Sequence, residues 1–164
     1  MKIIDNFLPQ AEFTKLQKLF LGPDLPWYYS RSIAKFQQGL DQFQLCHSFF
    51  DISKPADNNF TPILQPLLKK LKYQYLFRIK ANLRPRTSEN VISPFHRDME
   101  INHRVAILYL NTNNGSTIFK DDTVEPVESV ANRLLTFDGT YEHAGTSATN
   151  CNNRIVLNIN YTVP

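Results

Sequence analysis

The sequence predicts an α+β protein whose body is a β-sandwich or β-barrel preceded by helices. Apolar residues recur at helical spacing in two segments before residue 72. From about residue 73, short β-rich segments alternate with clusters of Gly, Pro, Asn and Asp. The 164 residues, 42% of them hydrophobic, suit one domain with a sizeable core. We therefore expect a single domain over residues 1–164, with a helical part over 1–72 and a β-rich core over 73–164.

The N-terminal elements are a short strand and a helix. Residues 2–8 predict a strand that ends at Pro9, a residue suited to the first position of a helix. The dipeptide Gly22-Pro23 ends that helix. Its apolar stripe consists of Phe13, Leu16, Leu19 and Phe20.

A second helix is predicted after a loop over residues 52–60. Thr61-Pro62 resembles an N-cap followed by a first helical position. Pro66 falls inside the pattern, which predicts a later start or a kink. One face of this helix carries Ile63, Leu64, Leu67, Leu68 and Leu71.

The second half of the chain predicts five strands. They are Tyr75–Asn82, Arg104–Asn111, Ser116–Phe119, Arg133–Phe137 and Arg154–Tyr161. Alternation along the last strand places four apolar side chains on one face, namely Ile155, Leu157, Ile159 and Tyr161. Arg154 and Asn158 share the other face. This fits either a polar cavity that captures a carboxylate or a solvent-exposed edge.

Charge and composition argue against several classes of protein. The net charge is +3, with +6 in residues 1–90 and −3 in residues 91–164, too weakly basic for a dedicated nucleic-acid binder. The longest apolar run, residues 105–110, is too short to cross a bilayer, and residues 1–7 show no signal-peptide h-region, so export is not expected. Cys46 and Cys151 form no metal motif and are expected to be reduced thiols. We expect a cytoplasmic protein without membrane contact.

Three residues predict a metal site. In His96-Arg97-Asp98, an imidazole and a carboxylate at positions i and i+2 of an extended chain point to the same side. The pair alone is weak, since an ordinary surface pair has the same pattern. His143, 47 residues later, supplies a second imidazole. Two imidazoles and one carboxylate form the facial set of ligands that holds non-haem iron.

The chain resembles the 2-oxoglutarate/Fe(II)-dependent oxygenases, in particular their prolyl-4-hydroxylase-like branch. The resemblance spans about residues 73–161, with His96-x-Asp98, His143 and Arg154 in order. Four further segments resemble strands of that branch: residues 3–8, Ile107–Asn111, Asn114–Phe119 and Arg133–Gly139. The chain departs from the branch in having Asn114 for the first glycine of a Gly-Gly strand, and no proline soon after His143.

The resemblance implies a double-stranded β-helix, a jelly-roll or cupin-like barrel, with the N-terminal helices packed against it. It implies that His96, Asp98 and His143 bind Fe(II) and that Arg154 pairs with the distal carboxylate of 2-oxoglutarate. Tyr109 is placed to donate its hydroxyl to the same carboxylate; the other interpretation of Tyr109 is an aromatic residue of the barrel core. Asn158, on the same strand face as Arg154, is a further candidate for binding 2-oxoglutarate. The implied co-reactant is O₂, with ascorbate as an additional reductant.

The substrate candidates lie on the strand before the metal motif. Asn82, Arg84 and Arg86 are expected at the pocket mouth, followed by a loop to residue 92; solvated loop charge is an equal interpretation. Residues 27–31 form either a lid or a packing seam, and a seam is favoured because buried aromatics usually belong to the core. His47 and His103 have no partner pattern and are expected to be structural.

The leading interpretation is a hydroxylase of a peptidyl residue such as proline, which releases succinate and CO₂. Two other enzymes stay open: an oxidative demethylase of nucleic-acid bases, and a hydroxylase of a free amino acid or small metabolite. The demethylase would need a base-stacking aromatic near the iron. The non-enzyme alternative is a metal-free barrel that acts as a binding module. The sequence leaves the oligomeric state open.

Overall fold

A computed structural model describes residues 1–33, 42–54 and 61–164. In this part of the chain there are two helices, α1 (Gln10–Leu21) and α2 (Thr61–Leu71). The strands before residue 100 are β1 (Lys2–Ile4), β2 (Tyr28–Ser30), β3 (Gln44–Asp51) and β4 (Tyr75–Pro85). The later strands are β5 (Arg104–Tyr109), β6 (Ser116–Phe119), β7 (Val127–Glu128), β8 (Leu134–Asp138), β9 (His143–Gly145) and β10 (Asn153–Thr162).

The strands form two antiparallel sheets. The large sheet has the order β1-β8-β5-β10-β4-β3-β2, and the small sheet has the order β7-β6-β9. Strand β10 lies at the centre of the large sheet, between β4 and β5. In this register Arg154 lies opposite Arg84 on β4. The predicted combination of helices with a mostly β body is confirmed.

The outer face of the large sheet is apolar and packs against both helices. Alternate residues of β10 point to this face and are almost fully buried, as the predicted alternation requires. The helices contribute the apolar stripe that the sequence predicts for each. The resulting core includes Phe13, Leu16, Phe20, Leu64, Leu67, Leu68, Ile155, Leu157 and Ile159.

The inner face of the large sheet turns toward the small sheet. A second apolar cluster joins the two sheets, with β5 and β8 on one side and β6 and β7 on the other. Its members are Val105, Ile107, Tyr109, Phe119, Val127, Leu135, Phe137 and Val156. The small sheet is only three strands wide. Beyond the end of this cluster, the inner faces of β4 and β10 line a cavity.

Several predicted boundaries change. Pro9 is the N-cap of α1 and not its first helical residue, and Pro66 lies inside α2. Strand β1 ends at Ile4 and not at residue 8, whereas β4 continues past Asn82 to Pro85. Residues 55–60 of the predicted loop and the side chain of Thr61 lie outside the described part.

The part over residues 1–72 contains more strand than predicted, because β2 and β3 join the predicted β1 in the large sheet. Strand β7 is also absent from the prediction. Within the described residues, neither helix is long and apolar enough to span a membrane.

Candidate active site

An isolated β-bridge brings the two histidines of the metal motif together. The backbone N–H of His96 donates to the carbonyl of His143 at 3.0 Å, and the reverse hydrogen bond has the same length. The imidazole centroids are 4.9 Å apart. Together with the carboxylate of Asp98, candidate ligand atoms of the three residues all lie within 4.8 Å of one another.

Backbone carbonyls orient both imidazoles. Nδ1 of His96 donates to the carbonyl of Pro94 at 3.0 Å, and Nδ1 of His143 donates to that of Tyr141 at 3.3 Å. A carbonyl only accepts, so the proton of each neutral ring is on Nδ1 and the lone pair is on Nε2. Nε2 of His96 lies 3.8 Å from Asp98 Oδ1. This tautomer and orientation suit a metal ligand.

The carboxylate of Asp98 is held by three side chains of the large sheet. Arg78 donates to Oδ1 at 2.8 Å, and the amides of Asn158 and Asn160 donate to Oδ2 at 3.0 and 2.9 Å. Arg78 also donates through Nε to Asn160 at 3.0 Å. Strands β4 and β10 therefore fix a carboxylate that belongs to the loop after Ile92.

The electrostatics of the cluster favour the protonation states that metal binding requires of Asp98 and His143. Burial disfavours the charged form of Asp98, but neighbouring groups, among them the Arg78 guanidinium and the Asn160 amide, hold its pKa well below the usual range. Burial lowers the pKa of His143, which keeps this imidazole neutral. An ionised carboxylate beside neutral imidazoles is the form that coordinates a divalent metal.

A cavity of about 280 Å³ adjoins this cluster. Its walls come from β2, β3, β4, β5, β6, β9, β10 and the loop that carries the metal motif. Four cationic side chains of the sheets point into it. The residues that matter below are Gln44, Arg78, Lys80, Asn82, Arg84, Thr117, Arg154 and Asn158.

Arg154 is buried at the start of β10, and hydroxyl groups hold it. Its Nε donates to Ser129 at 2.8 Å, and one terminal nitrogen donates to Thr117 at 3.3 Å. A side chain at Gly145 would come within 3.2 Å of the other terminal nitrogen. The guanidinium has no carboxylate within ion-pair distance among the described residues, and burial lowers its pKa.

The two other predicted co-substrate residues occupy different positions. Tyr109 is fully buried between the sheets, where its hydroxyl donates to Thr117 at 2.8 Å and its ring lies 5.7 Å from the Arg154 guanidinium carbon. Tyr109 does not line the cavity, whereas Thr117 does. Asn158 lines the cavity, and its Oδ1 has no hydrogen-bond partner among the described residues.

The two arginines predicted at the pocket mouth lie in different environments. Arg84 is buried, not exposed, because β4 extends to Pro85 and turns this side chain inward. It donates to Ser93 at 2.8 Å and to the carbonyl of Gly145 at 2.9 Å. Burial, followed by the charge of Arg154, lowers its pKa to about 10. Arg86 is exposed and does not line the cavity.

Residues 27–31 include β2, the edge strand of the large sheet. They form neither a packing seam along their whole length nor a lid. The Trp27 ring packs 6.5 Å from Phe20, as a seam requires, but Tyr28 and Tyr29 are exposed. Ser30 lines the cavity.

The remaining histidines and cysteines lie away from the metal motif. Nδ1 of His47 donates to the Pro26 carbonyl at 2.8 Å, and that of His103 donates to the Ile101 carbonyl at 2.7 Å. Both rings are buried and neither lines the cavity. Cys46 and Cys151 are free thiols.

The sequence prediction did not include Arg78, Lys80, Thr117 and Asn160. Alternation along β4 and β10 was a usable signal for three of them, because it places Arg78, Lys80 and Asn160 on the same face as Asn158. Nothing local indicates that this face meets Asp98, which lies 20 residues after Arg78. The place of Thr117 in the site depends on the packing of β6 over β10, which the sequence does not indicate.

Comparison with known proteins places the chain by structure. No protein-family model and no curated protein matches it by sequence. A 2OG-Fe(II) oxygenase family oxidoreductase from Burkholderia pseudomallei superimposes with a TM-score of 0.69 at 11% identity, covering 98% of this chain and 84% of that one.

Two prolyl hydroxylases are also similar. The one from Trichoplax adhaerens, in complex with a peptide fragment of the hypoxia inducible factor oxygen degradation domain, has a TM-score of 0.65 at 13% identity, with 98% of this chain and 82% of that chain covered. The prolyl-4-hydroxylase from Pseudomonas putida has a TM-score of 0.59 at 14% identity, covering 98% and 91%. The chain therefore has the fold of the 2-oxoglutarate/Fe(II) oxygenases, including the prolyl hydroxylases.

Proposed function

We propose that this protein is a 2-oxoglutarate- and Fe(II)-dependent oxygenase that hydroxylates a C–H bond. The observation that carries the proposal is the convergence of His96, Asp98 and His143 on one wall of a cavity that also holds buried Arg154. Arg154 precedes the Asp98 partner Asn158 by four residues of β10, about 13 Å along a strand. A metal at one end and a cation at the other suit a dicarboxylate between them.

The donor set fits Fe(II). Two neutral imidazoles and one carboxylate are the ligands that non-haem iron oxygenases use, and they leave positions for other groups on the metal. The carbonyl contacts of both Nδ1 atoms supply the outer hydrogen bonds that such ligands require. His96, Asp98 and His143 would hold the metal, while Arg78 and Asn160 fix the carboxylate in place.

The buried arginines fit the dianionic co-substrate. Arg154 is bonded only to hydroxyls among the described residues, and a buried cation without a counter-ion is costly. A carboxylate of 2-oxoglutarate would neutralise it in bidentate geometry. Arg84, whose guanidinium also reaches Gly145, would support the same carboxylate. Tyr109 would then act through Thr117, which it holds in position.

Bound iron and 2-oxoglutarate supply the oxidation, in which substrate C–H, O₂ and 2-oxoglutarate become substrate C–OH, succinate and CO₂. The protein would position the metal, 2-oxoglutarate and the substrate, and would surround them with the polar groups of the cavity wall. We infer that the two facing sheets are a double-stranded β-helix and that residues 1–164 act as one domain.

A peptidyl residue such as proline remains the leading substrate hypothesis. Its support is the fold shared with prolyl hydroxylases, one of which binds a peptide. No observation favours a nucleic-acid base, because the described lining residues contain no phenyl, phenol or indole ring for stacking.

An anaerobic titration tests the proposal. Wild-type protein with Fe(II) and 2-oxoglutarate should develop a visible charge-transfer band, and the band should disappear in His96→Ala. Glu100→Ala, an exposed residue of the same loop that does not line the cavity, serves as the matched control and should keep the band. A folded wild-type protein without a band would support the metal-free binding module instead.

A further inference from the structure

The inner face of β4 presents a row of polar side chains, of which only the two ends are occupied. Arg78 at one end binds Asp98 and Asn160, and Arg84 at the other end binds Ser93 and Gly145. Lys80 and Asn82 lie between them. Both line the cavity, and neither side chain has a hydrogen-bond partner among the described residues.

Lys80 is poorly solvated for a lysine. Its Cα lies opposite Asn158 on β10 and Ser48 on β3, so strands flank it on both sides. Burial lowers its pKa, and no carboxylate lies within ion-pair distance in the described part of the chain. Asn82 follows two residues later on the same face, about 7 Å along the strand.

The positive charges of the cavity exceed the negative charges that Asp98, the proposed metal and the co-substrate would bring. Five cationic side chains line it, four on the sheets and the exposed Arg97 on the loop, against the single carboxylate of Asp98, an excess of four positive charges. A bound Fe(II) and a 2-oxoglutarate dianion would together add no net charge, so this excess would remain. Arg84 and Arg154 can share a carboxylate of 2-oxoglutarate, and Arg78 is paired with Asp98. Lys80 is left as the sheet cation of the cavity to which neither Asp98 nor 2-oxoglutarate is assigned.

We propose that Lys80 and Asn82 bind a carboxylate of the substrate, so that the protein hydroxylates an organic acid. The lysine ammonium pairs with the anion and the Asn82 amide donates a second hydrogen bond. A single lysine and an amide match the charge of one carboxylate. Two sources present that group: a free amino acid, through its own carboxylate, or a peptide, through an acidic side chain. This inference rests on the proposed oxygenase chemistry.

The experiment compares matched pairs of probes on the Fe(II)-loaded protein with 2-oxoglutarate and O₂. One arm pairs the free amino acids with their amides, and the other pairs proline-containing peptides that carry glutamate with the same peptides that carry glutamine. Succinate release above the rate without probe is the readout, and a gain of one oxygen in the probe confirms coupling. We expect a response only from carboxylate members of one arm, which identifies the source.

Two variants locate the effect. Lys80→Met should lower kcat/KM for the responding probe by about 10- to 100-fold, while the anaerobic 2-oxoglutarate band and its midpoint stay unchanged. Lys80→Arg should recover most of the loss. Lys69→Met removes an exposed lysine of α2 and should have no effect.

The outcomes separate the two proposals. A response only from neutral probes, or from no probe, in a protein that forms the band would overturn the carboxylate site and leave the oxygenase chemistry standing. A weaker 2-oxoglutarate midpoint in Lys80→Met would reassign Lys80 to the co-substrate. Loss of the band in wild-type protein would overturn the oxygenase proposal itself.

Discussion

The two faces of the large sheet differ although the same strands form both. On the outer face, β4 and β10 present Ile79, Ala81, Ile155, Leu157 and Ile159, all nearly inaccessible beneath the helices. On the inner face, the same two strands present Arg78, Lys80, Asn82, Arg84, Arg154, Val156, Asn158 and Asn160. Each strand thus alternates between an apolar core and an inner face on which all of these residues but Val156 are polar or charged.

This difference separates stability from chemistry. Burial of the outer face stabilises the fold at about 25 cal/mol per Å² of apolar surface. The inner face buries cations that are not compensated until an anion binds, which opposes folding. Substitutions on the outer face should therefore act on the free energy of unfolding, and those on the inner face on binding and turnover.

The largest expected effect lies on the inner side, at the metal motif. His143→Ala should lower turnover by at least about 1000-fold, because the metal contributes several kcal/mol to transition-state stabilisation. The measurement is succinate release together with iron content per folded protein. Glu142→Gln alters only a surface ion pair with Lys120 and should retain activity. Full iron occupancy in His143→Ala would contradict the ligand assignment.

The outer face should show the opposite behaviour. Leu157→Ala should lower the free energy of unfolding by about 2–5 kcal/mol, since the side chain is fully buried and leaves a cavity. Urea denaturation measures this, with half-exposed Ile3→Ala on β1 as the control. Turnover per folded molecule should stay within twofold of wild type. A selective loss of turnover would show that the two faces are not separable.

Sequence patterns predicted the fold best where alternation was regular. Strand β10 was identified with both faces because apolar residues occupy every second position from Ile155 to Tyr161, and Val156 is the one apolar residue of the opposite face between Arg154 and Asn160. Strand β3 was missed for the opposite reason. Its outward row includes His47, which weakens the apolar signal, and a bulge between Ser48 and Phe50 shifts the period.

The site was predictable where residue type alone indicates chemistry. Two histidines and an aspartate identify the metal motif because few other roles need that set. The resemblance places Arg84 at the pocket mouth, and the sequence pattern ends the strand at Asn82. Pairing with β10 extends the strand, and that pairing is a long-range contact without a local signal. The support of Asp98 by Arg78 is equally non-local.

A smaller effect is expected at the opposite end of the cavity from the metal motif. Arg154→Ala should raise the KM for 2-oxoglutarate by about 100-fold, because it removes the charge that pairs with the distal carboxylate. Iron content should not change, since Arg154 contacts no predicted metal ligand. Titration of succinate release against 2-oxoglutarate is the measurement. An unchanged KM would refute the assignment of Arg154.

The smallest effect separates two arginines that lie two residues apart. Arg84→Met should raise the KM for 2-oxoglutarate by about 10-fold, because its guanidinium is buried, donates to the carbonyl of Gly145 and is close enough to Arg154 for their charges to interact. Arg86→Met should change no kinetic constant by more than about twofold, since exposed charges contribute little. Both variants lose the same charge, so the difference between them measures the inner face alone. Equal effects of the two substitutions would mean that net charge, and not the cavity, attracts the dianion.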